Sequence, residues 1–81
     1  MPLKPSDVLD AIRKITADLI EVDQARIVPT ARWEDFGADR YDLFGILNGI
    51  QTHYRIKIPD DDAFEMATVG DLIAFVQAAR Q

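Results

Sequence analysis

Apolar residues recur at helical spacing in three stretches of this chain, and this periodicity restricts its fold more than any other feature. In each stretch they fall at positions that meet on one side of a helix. Each helix must bury that side, so the pattern predicts helices packed around a shared core. The three sets are Val8, Ile12, Ile15 and Leu19; Leu43, Ile46, Leu47, Ile50 and Tyr54; and Val69, Leu72, Ile73 and Val76.

Residues whose side chains can cap a helix stand at the expected helix starts. Ser6 is placed at the start of the first helix and Asp39 at the start of the second. Each side chain can accept a backbone N–H that the helix leaves unpaired. Thr68 precedes the last helix, with Asp71 three residues later, which resembles a capping box with aspartate in place of glutamate.

A run of aspartates, Asp60-Asp61-Asp62, precedes a short third helix that we expect around residues 63–66. Negative charge is favourable at a helix start, although carboxylates also bind hard cations such as calcium. The run lacks the spaced ligands and closing glutamate of an EF-hand loop, so we favour the helix start and expect no metal site. We interpret the chain as one all-α domain over residues 1–81, a four-helix bundle.

Residues 23–38, DQARIVPTARWEDFGA, show no period and predict a long loop between the first and second helices. Pro29 has no N–H and disfavours helix at the residue before it. Large apolar side chains are expected to hold the loop against the core, and Gly37 can adopt a positive φ at its end. These apolar side chains are Ile27, Val28, Trp33 and Phe36.

The side of the second helix opposite its apolar stripe is uncharged and partly aromatic. We assign to it Tyr41, Gly45, Asn48 and Thr52, with Phe44 at its edge. Gly45 and Gly49 stand inside this helix, where each costs about 1 kcal/mol relative to alanine. These two glycines could loosen the packing of the bundle.

The residue types that most active sites need are scarce in this chain. It has no cysteine, one histidine, His53, and one serine, Ser6. A zinc site needs several ligands, and a Ser-His-acid triad would require Ser6 to meet His53. We therefore expect neither a catalytic site nor enzyme activity.

The net charge of −5 bears on the partners of the chain. It repels a phosphate backbone, and no Lys/Arg cluster offsets it, so nucleic-acid binding is not expected. No apolar run is long enough for a membrane span, and the N-terminus lacks the apolar segment of a signal peptide. We expect a cytoplasmic protein that is a monomer.

Three segments resemble the acyl carrier protein family. WEDFGADRYDL is similar to the family motif that opens the second helix, IKIPDDDAF to the segment before the third helix, and MATVGDLIAFV to the start of the fourth. The similarity extends from about Val8 to Val76. It implies the four-helix fold of acyl carrier proteins, with a long loop between helices 1 and 2.

The resemblance also directs attention to Arg40. In the family, the serine after the motif's aspartate carries a 4′-phosphopantetheine arm whose thiol holds an acyl chain. Here Asp39 is retained and Arg40 follows it. An arginine has only donors and a permanent charge, so we expect no cofactor. Arg40 could pair with Asp39, Asp42 or the aspartate run, or it could bind an anion or a partner's carboxylate; the sequence does not choose between these roles.

The family resemblance implies a protein partner among acyl-processing or biosynthetic enzymes. The outer face of helix 2 in the family is usually acidic, but here it is mostly uncharged and aromatic, which favours a changed partner. A helix that has lost its function but kept its fold is the alternative. The candidate partner-binding residues are Asp39, Arg40, Tyr41, Phe44 and Asn48.

Three functions stay open at this stage. The first is a non-enzymatic, carrier-like interaction module without the arm, in fatty-acid, lipid or polyketide-type metabolism. The second is a working acyl carrier whose arm is attached elsewhere. The third is a small binder of apolar ligands.

Overall fold

Four α-helices form the fold in the computed structural model, which describes residues 3–80. They are α1, Pro5–Leu19; α2, Arg40–Tyr54; α3, Asp60–Glu65; and α4, Val69–Ala79. Buried apolar side chains from all four helices and from the α1–α2 loop form one core. This architecture confirms the predicted all-α four-helix bundle with a long loop between helices 1 and 2.

The predicted starts of α1 and α3 were wrong by a few residues. Lys4, not Ser6, precedes α1, and Ser6 lies inside its first turn. Pro5 is the first helical residue, where its missing N–H costs no hydrogen bond and its fixed φ suits the helix. The α3 helix begins at Asp60, so the aspartate run forms its first turn instead of preceding it. This placement puts the carboxylates where the helix dipole favours them.

The predicted caps of α2 and α4 are confirmed. Asp39 Oδ1 accepts the N–H of Asp42 at 2.8 Å, and Asp42 Oδ2 accepts the N–H of Asp39 at 3.0 Å. In the same way, Thr68 Oγ1 accepts the N–H of Asp71 at 3.2 Å, and Asp71 Oδ2 accepts the N–H of Thr68 at 3.0 Å. Both helices therefore begin at residues whose side chains replace the missing intrahelical bonds.

The loop between α1 and α2 is held to the core by its own side chains, as predicted. It contains two short 3₁₀ helices, Gln24–Arg26 and Trp33–Phe36. Ile27, Trp33 and Phe36 are buried, and Gly37 has a φ of 88°. Val28 does not follow the prediction and is 37% exposed. Its carbonyl accepts the N–H of Ala31, so Val28 stands at the start of a tight turn and not in the core.

The loop also binds the start of α4 through its backbone. The carbonyls of Ala31 and Pro29 accept the N–H groups of Val69 at 3.0 Å and Gly70 at 2.8 Å. These two N–H groups belong to the first turn of α4 and have no partner inside the helix. A Cβ on Gly70 would lie 2.9 Å from the Pro29 oxygen, so this close approach needs glycine.

The two glycines of α2 face α1, which corrects the assignment of Gly45 to the outer side of the helix. A Cβ on Gly45 would lie 3.2 Å from Leu19 Cδ1, and one on Gly49 would lie 2.7 Å from Ile15 Cγ2. The order of these contacts makes α1 and α2 antiparallel. Gly45 and Gly49 therefore let α1 pack closely, which is the opposite of the predicted loosening.

Candidate functional site

A groove of about 230 Å³ lies at the start of α2 and is bounded by α3 and the α1–α2 loop. We call it the α2–α3 groove. Its buried lining residues belong to the loop, to α3 and to the residue that follows α3. The start of α2 contributes half-buried and exposed residues. The complete lining is Arg32, Trp33, Glu34, Ala38, Asp39, Arg40, Leu43, Phe44, Ala63, Phe64, Met66 and Ala67.

Aromatic side chains define the shape of this groove. Phe44 of α2 and Phe64 of α3 meet edge to face, with ring centroids 6.2 Å apart and planes at 87°. Phe64 is 67% exposed. Trp33 is buried and donates its Nε1–H to the Met66 carbonyl at 3.1 Å, which ties the loop to the end of α3. The groove therefore has a fixed base and an aromatic wall that is open to solvent.

Arg40 is the first residue of α2 and lines the groove beside Asp39. Asp39 is engaged in the α2 cap, and Arg32 pairs with Glu34 at 3.5 Å. Within residues 3–80, Arg40 makes neither a side-chain hydrogen bond nor an ion pair. The structure thus contains none of the intramolecular pairs with Asp39, Asp42 or the aspartate run that the sequence left open.

The structure brings three of the five predicted partner-binding residues to the groove. Asp39, Arg40 and Phe44 line it, whereas Tyr41 and Asn48 do not. Tyr41 is 87% exposed, and Asn48 is exposed with its Oδ1 accepting from Gln51 Nε2 at 3.3 Å. Asp39 caps α2, and the other four residues lie within that helix.

Sequence reasoning missed Phe64, a largely exposed aromatic residue of the groove wall. Its neighbours Ala63 and Met66 are buried, so Phe64 is out of phase with the core side of a very short helix. A large apolar residue in that position is the signal that could have identified it. Trp33 and Met66 were missed as lining residues because the sequence does not show how the loop meets α3.

The residues considered for catalysis do not assemble into a site in the part of the chain that the structure describes. His53 is exposed and packs edge to face against Tyr54, with ring centroids 4.7 Å apart. No hydrogen bond joins Ser6 to His53 between residues 3 and 80. The same range holds no group of three or more metal-ligating side chains.

Ser6 lies at the far end of the α1–α2 pair from Arg40. The antiparallel packing places the start of α1 beside the end of α2, where Tyr54 stands. Burial, and secondarily the nearby negative charge of Asp7, raises the pKa of Tyr54 above its ordinary value of 10.0. Because α2 is about 22 Å long, a serine beside Asp7 cannot reach the start of that helix.

Comparison with known proteins identifies the class. The family model described as the phosphopantetheine attachment site matches residues 10–76, which is most of the chain, so the chain belongs to that family. Among residues 3–80, no helix combines the length and apolar character that a bilayer crossing requires.

Solved structures of acyl carrier proteins share the fold. The hexanoyl acyl carrier protein of the actinorhodin polyketide synthase from Streptomyces coelicolor superimposes with a TM-score of 0.79 at 24% identity, covering 99% of this chain and 93% of that one. The acyl carrier protein from Enterococcus faecalis superimposes with a TM-score of 0.75 at 18% identity, covering 95% of this chain and 99% of that one. At these identities the likeness establishes the fold.

Proposed function

We propose that this chain is a non-enzymatic, carrier-like interaction module without a phosphopantetheine arm, and that it serves acyl metabolism of the fatty-acid, lipid or polyketide type. The observation that carries the proposal is Arg40, which stands first in α2 directly after the capping Asp39. In the family motif this position belongs to the serine that receives the arm.

The side chains at the start of α2 do not fit attachment of the arm. A guanidinium offers donors and a permanent charge, but no hydroxyl that could become a phosphodiester. Tyr41 is exposed and has a hydroxyl, but its reach and acidity differ from those of a serine. Ser6 lies at the opposite end of the α1–α2 pair, outside the motif.

The proposed docking surface is the start and outer side of α2, formed by Asp39, Arg40, Tyr41, Phe44 and Asn48. The exposure of Tyr41, 87%, supports it, because aromatic residues are enriched at interfaces and are costly to leave in water. We infer a protein partner among acyl-processing or biosynthetic enzymes, and a cytoplasmic monomer that does not bind nucleic acid.

The test is the intact mass of the protein after incubation with a broad-specificity phosphopantetheinyl transferase and coenzyme A. Wild type, Arg40→Ser and Ser6→Ala are compared, with an acyl carrier protein of the fatty-acid type as the positive control. We expect the wild type and Ser6→Ala to keep their masses and Arg40→Ser to gain the arm. That result would show that Arg40 alone prevents attachment of the arm.

A mass gain in the wild type would overturn the proposal and leave the working carrier as the better function. Loss of that gain in Ser6→Ala would then identify the modified residue. If no variant gains mass while the positive control does, the transferase no longer recognises this α2 surface. That outcome supports a module with a changed partner.

A further inference from the structure

We propose that the end of α2 and the segment after it form a second interaction surface, which binds an extended acidic segment of a partner protein. The surface consists of Arg55 and Lys57, with His53 beside them, and we call it the basic surface. It lies at the opposite end of α2 from Arg40, about 22 Å away along the helix. The inference therefore does not depend on whether an arm is attached at Arg40.

The basic surface lies in the longest stretch of the chain without acidic residues. Residues 43–59 contain neither aspartate nor glutamate, although the whole chain has 14 of them. Arg55 and Lys57 are exposed, and neither forms an ion pair within residues 3–80. The negative end of the α2 dipole attracts cations, but this effect is confined to the last turn, and Lys57 lies beyond it. Carboxylates are the groups that complement such a surface and set the choice of partner.

Arg55 has a backbone conformation that favours glycine. Its φ of 55° and ψ of 48° lie in the left-handed region, and among residues 3–80 it is the one non-glycine residue with a positive φ. Glycine is usual directly after a helix in this conformation, because a Cβ is unfavourable there. Arg55 thus places a cation where the stability of the backbone favours glycine, and strain of this kind points to a function of the side chain.

The segment that follows α2 is shaped to meet an extended chain. Arg55 and Lys57 are exposed, whereas Ile56 is half-buried and Ile58 is buried. Gln51 holds the inner side, because its backbone carbonyl accepts the N–H of Ile56 at 3.1 Å and its Oε1 accepts that of Ile58 at 2.9 Å. The N–H of Lys57 makes no hydrogen bond within the described part of the chain. It can donate to a backbone carbonyl of a partner that lies alongside, as in recognition by strand addition.

A protein segment fits the basic surface better than an anionic lipid bilayer does. The aspartate run begins three residues after Lys57, and Asp7 lies near Tyr54 at the end of α2. A flat anionic surface would meet these carboxylates together with the cations, whereas an extended chain is only about 5 Å wide. No large apolar side chain of residues 53–58 is exposed, so nothing there would enter a bilayer.

Amide chemical shifts of the ¹⁵N-labelled protein test the proposal. The probe is the synthetic peptide acetyl-Gly-Glu-Val-Glu-Val-Glu-Gly-amide, whose alternate glutamates fall on one side of an extended chain. The control peptide has glutamine in place of each glutamate. In low salt we expect saturable shifts at residues 53–58 with the acidic peptide, and binding of the control at least about fivefold weaker. Sodium chloride at about 0.15 M should weaken the acidic peptide, because exposed ion pairs are screened.

Substitution of Arg55 separates stability from binding. We expect Arg55→Gly to raise the midpoint of urea denaturation, because it relieves the left-handed conformation, and to weaken the acidic peptide about three- to fivefold. Combining it with Lys57→Gln should weaken the peptide further. The matched control combines Lys14→Gln with Arg80→Gln, which removes two exposed cations elsewhere and changes the net charge equally. We expect this control to bind within about twofold of the wild type.

The inference would be overturned if the acidic peptide gave no saturable shifts at residues 53–58 or bound no more tightly than its glutamine control. Arg55→Gly binding as tightly as the wild type, or the matched control losing as much affinity as the double variant of the basic surface, would also overturn it. A lower urea midpoint for Arg55→Gly would mean that Arg55 serves the fold and not a partner.

Cosedimentation with vesicles of phosphatidylglycerol and phosphatidylcholine tests the lipid alternative. Binding of the wild type to these vesicles, lost in the double variant of the basic surface, would overturn the inference and identify a lipid surface as the occupant. The dispersion of the amide spectrum reports whether each variant is folded. The mass assay reads arm attachment at the other end of α2, so failure of the proposed function and failure of this inference are distinguishable.

Discussion

The two flanks of α2 differ in how they meet their neighbours. On the flank toward α1, Gly45 and Gly49 bring the helices so close that a Cβ would lie 3.2 Å and 2.7 Å from side chains of α1. On the flank toward α3, Phe44 and Phe64 meet with ring centroids 6.2 Å apart and form one wall of the groove. One helix thus combines a closed structural contact with an open surface available for binding.

The two flanks of α2 are stabilised by different contacts. Each glycine inside α2 costs about 1 kcal/mol relative to alanine. At Gly49 the close packing against Ile15 of α1 offsets this cost. The α3 flank has less direct packing, so the groove depends on residues beneath it. Trp33 supplies that support through its burial and its bond to Met66.

We expect the largest loss of stability from substitution of Trp33, which forms the base of the groove. Trp33→Ala removes a buried ring and a hydrogen bond, so we expect the free energy of unfolding to fall by about 3–5 kcal/mol in urea denaturation. Because a small domain is only marginally stable, Trp33→Phe serves as the milder variant, with a loss of about 1–3 kcal/mol. Phe64→Ala, at the exposed wall, should change the stability by no more than about 0.5 kcal/mol.

Equal losses from Trp33→Phe and Phe64→Ala would contradict the division between a fixed base and an open wall. The comparison needs both variants folded, which far-ultraviolet circular dichroism reports. Trp33→Phe also removes the single tryptophan, so the unfolding of all variants is followed by circular dichroism and not by fluorescence.

Alanine substitutions at Gly45 and Gly49 test the closed flank. We expect smaller changes in the free energy of unfolding, of opposite sign at the two positions. Gly49→Ala places a Cβ at 2.7 Å from the Cγ2 methyl of Ile15, so the clash outweighs the gain in helix propensity. We expect a net loss of about 1–2 kcal/mol. Gly45→Ala meets the end of Leu19, which is 51% exposed and free to move aside. We expect it to gain up to about 1 kcal/mol.

Thermal or urea unfolding of the two alanine variants beside the wild type measures both signs. A gain in stability from Gly49→Ala would show that α1 can move away from the added Cβ without loss of stability, and that the flank is not closely packed. A loss from Gly45→Ala comparable to that of Gly49→Ala would show that Leu19 is held as firmly as Ile15.

The same two flanks show which features of the structure could be predicted from the sequence. The apolar stripes and the caps at Asp39 and Thr68 depend on residues close in sequence, and they were predicted correctly except at Leu19, which is 51% exposed. The direction that Gly45 faces depends on where α1 crosses α2, which no local pattern contains. The groove depends on contacts between the loop, α2 and α3, so Phe64 was missed. Arg40 was identified from the family motif and Phe44 from the spacing of its own helix.

The smallest effect concerns the end of the closed flank, where Tyr54 stands near Asp7. The pKa of Tyr54 is raised in the folded protein, by burial and then by Asp7, so the neutral phenol is favoured there. As the pH rises above 10.0, the unfolded chain loses the phenol proton while the folded chain retains it. The folded state then binds more protons than the unfolded one, so the contribution of Tyr54 to stability is complete below that pH and declines above it.

Tyr54→Phe should remove this decline. Urea denaturation of both proteins between about pH 9 and 11 measures it, and the difference between the two free energies of unfolding cancels the other groups that titrate there. Asp7→Asn should reduce the decline but not abolish it, because burial is the larger cause. Parallel pH profiles for the wild type and Tyr54→Phe would mean that the phenol is hydrated at the end of α2, and that the closed flank ends before it reaches Tyr54.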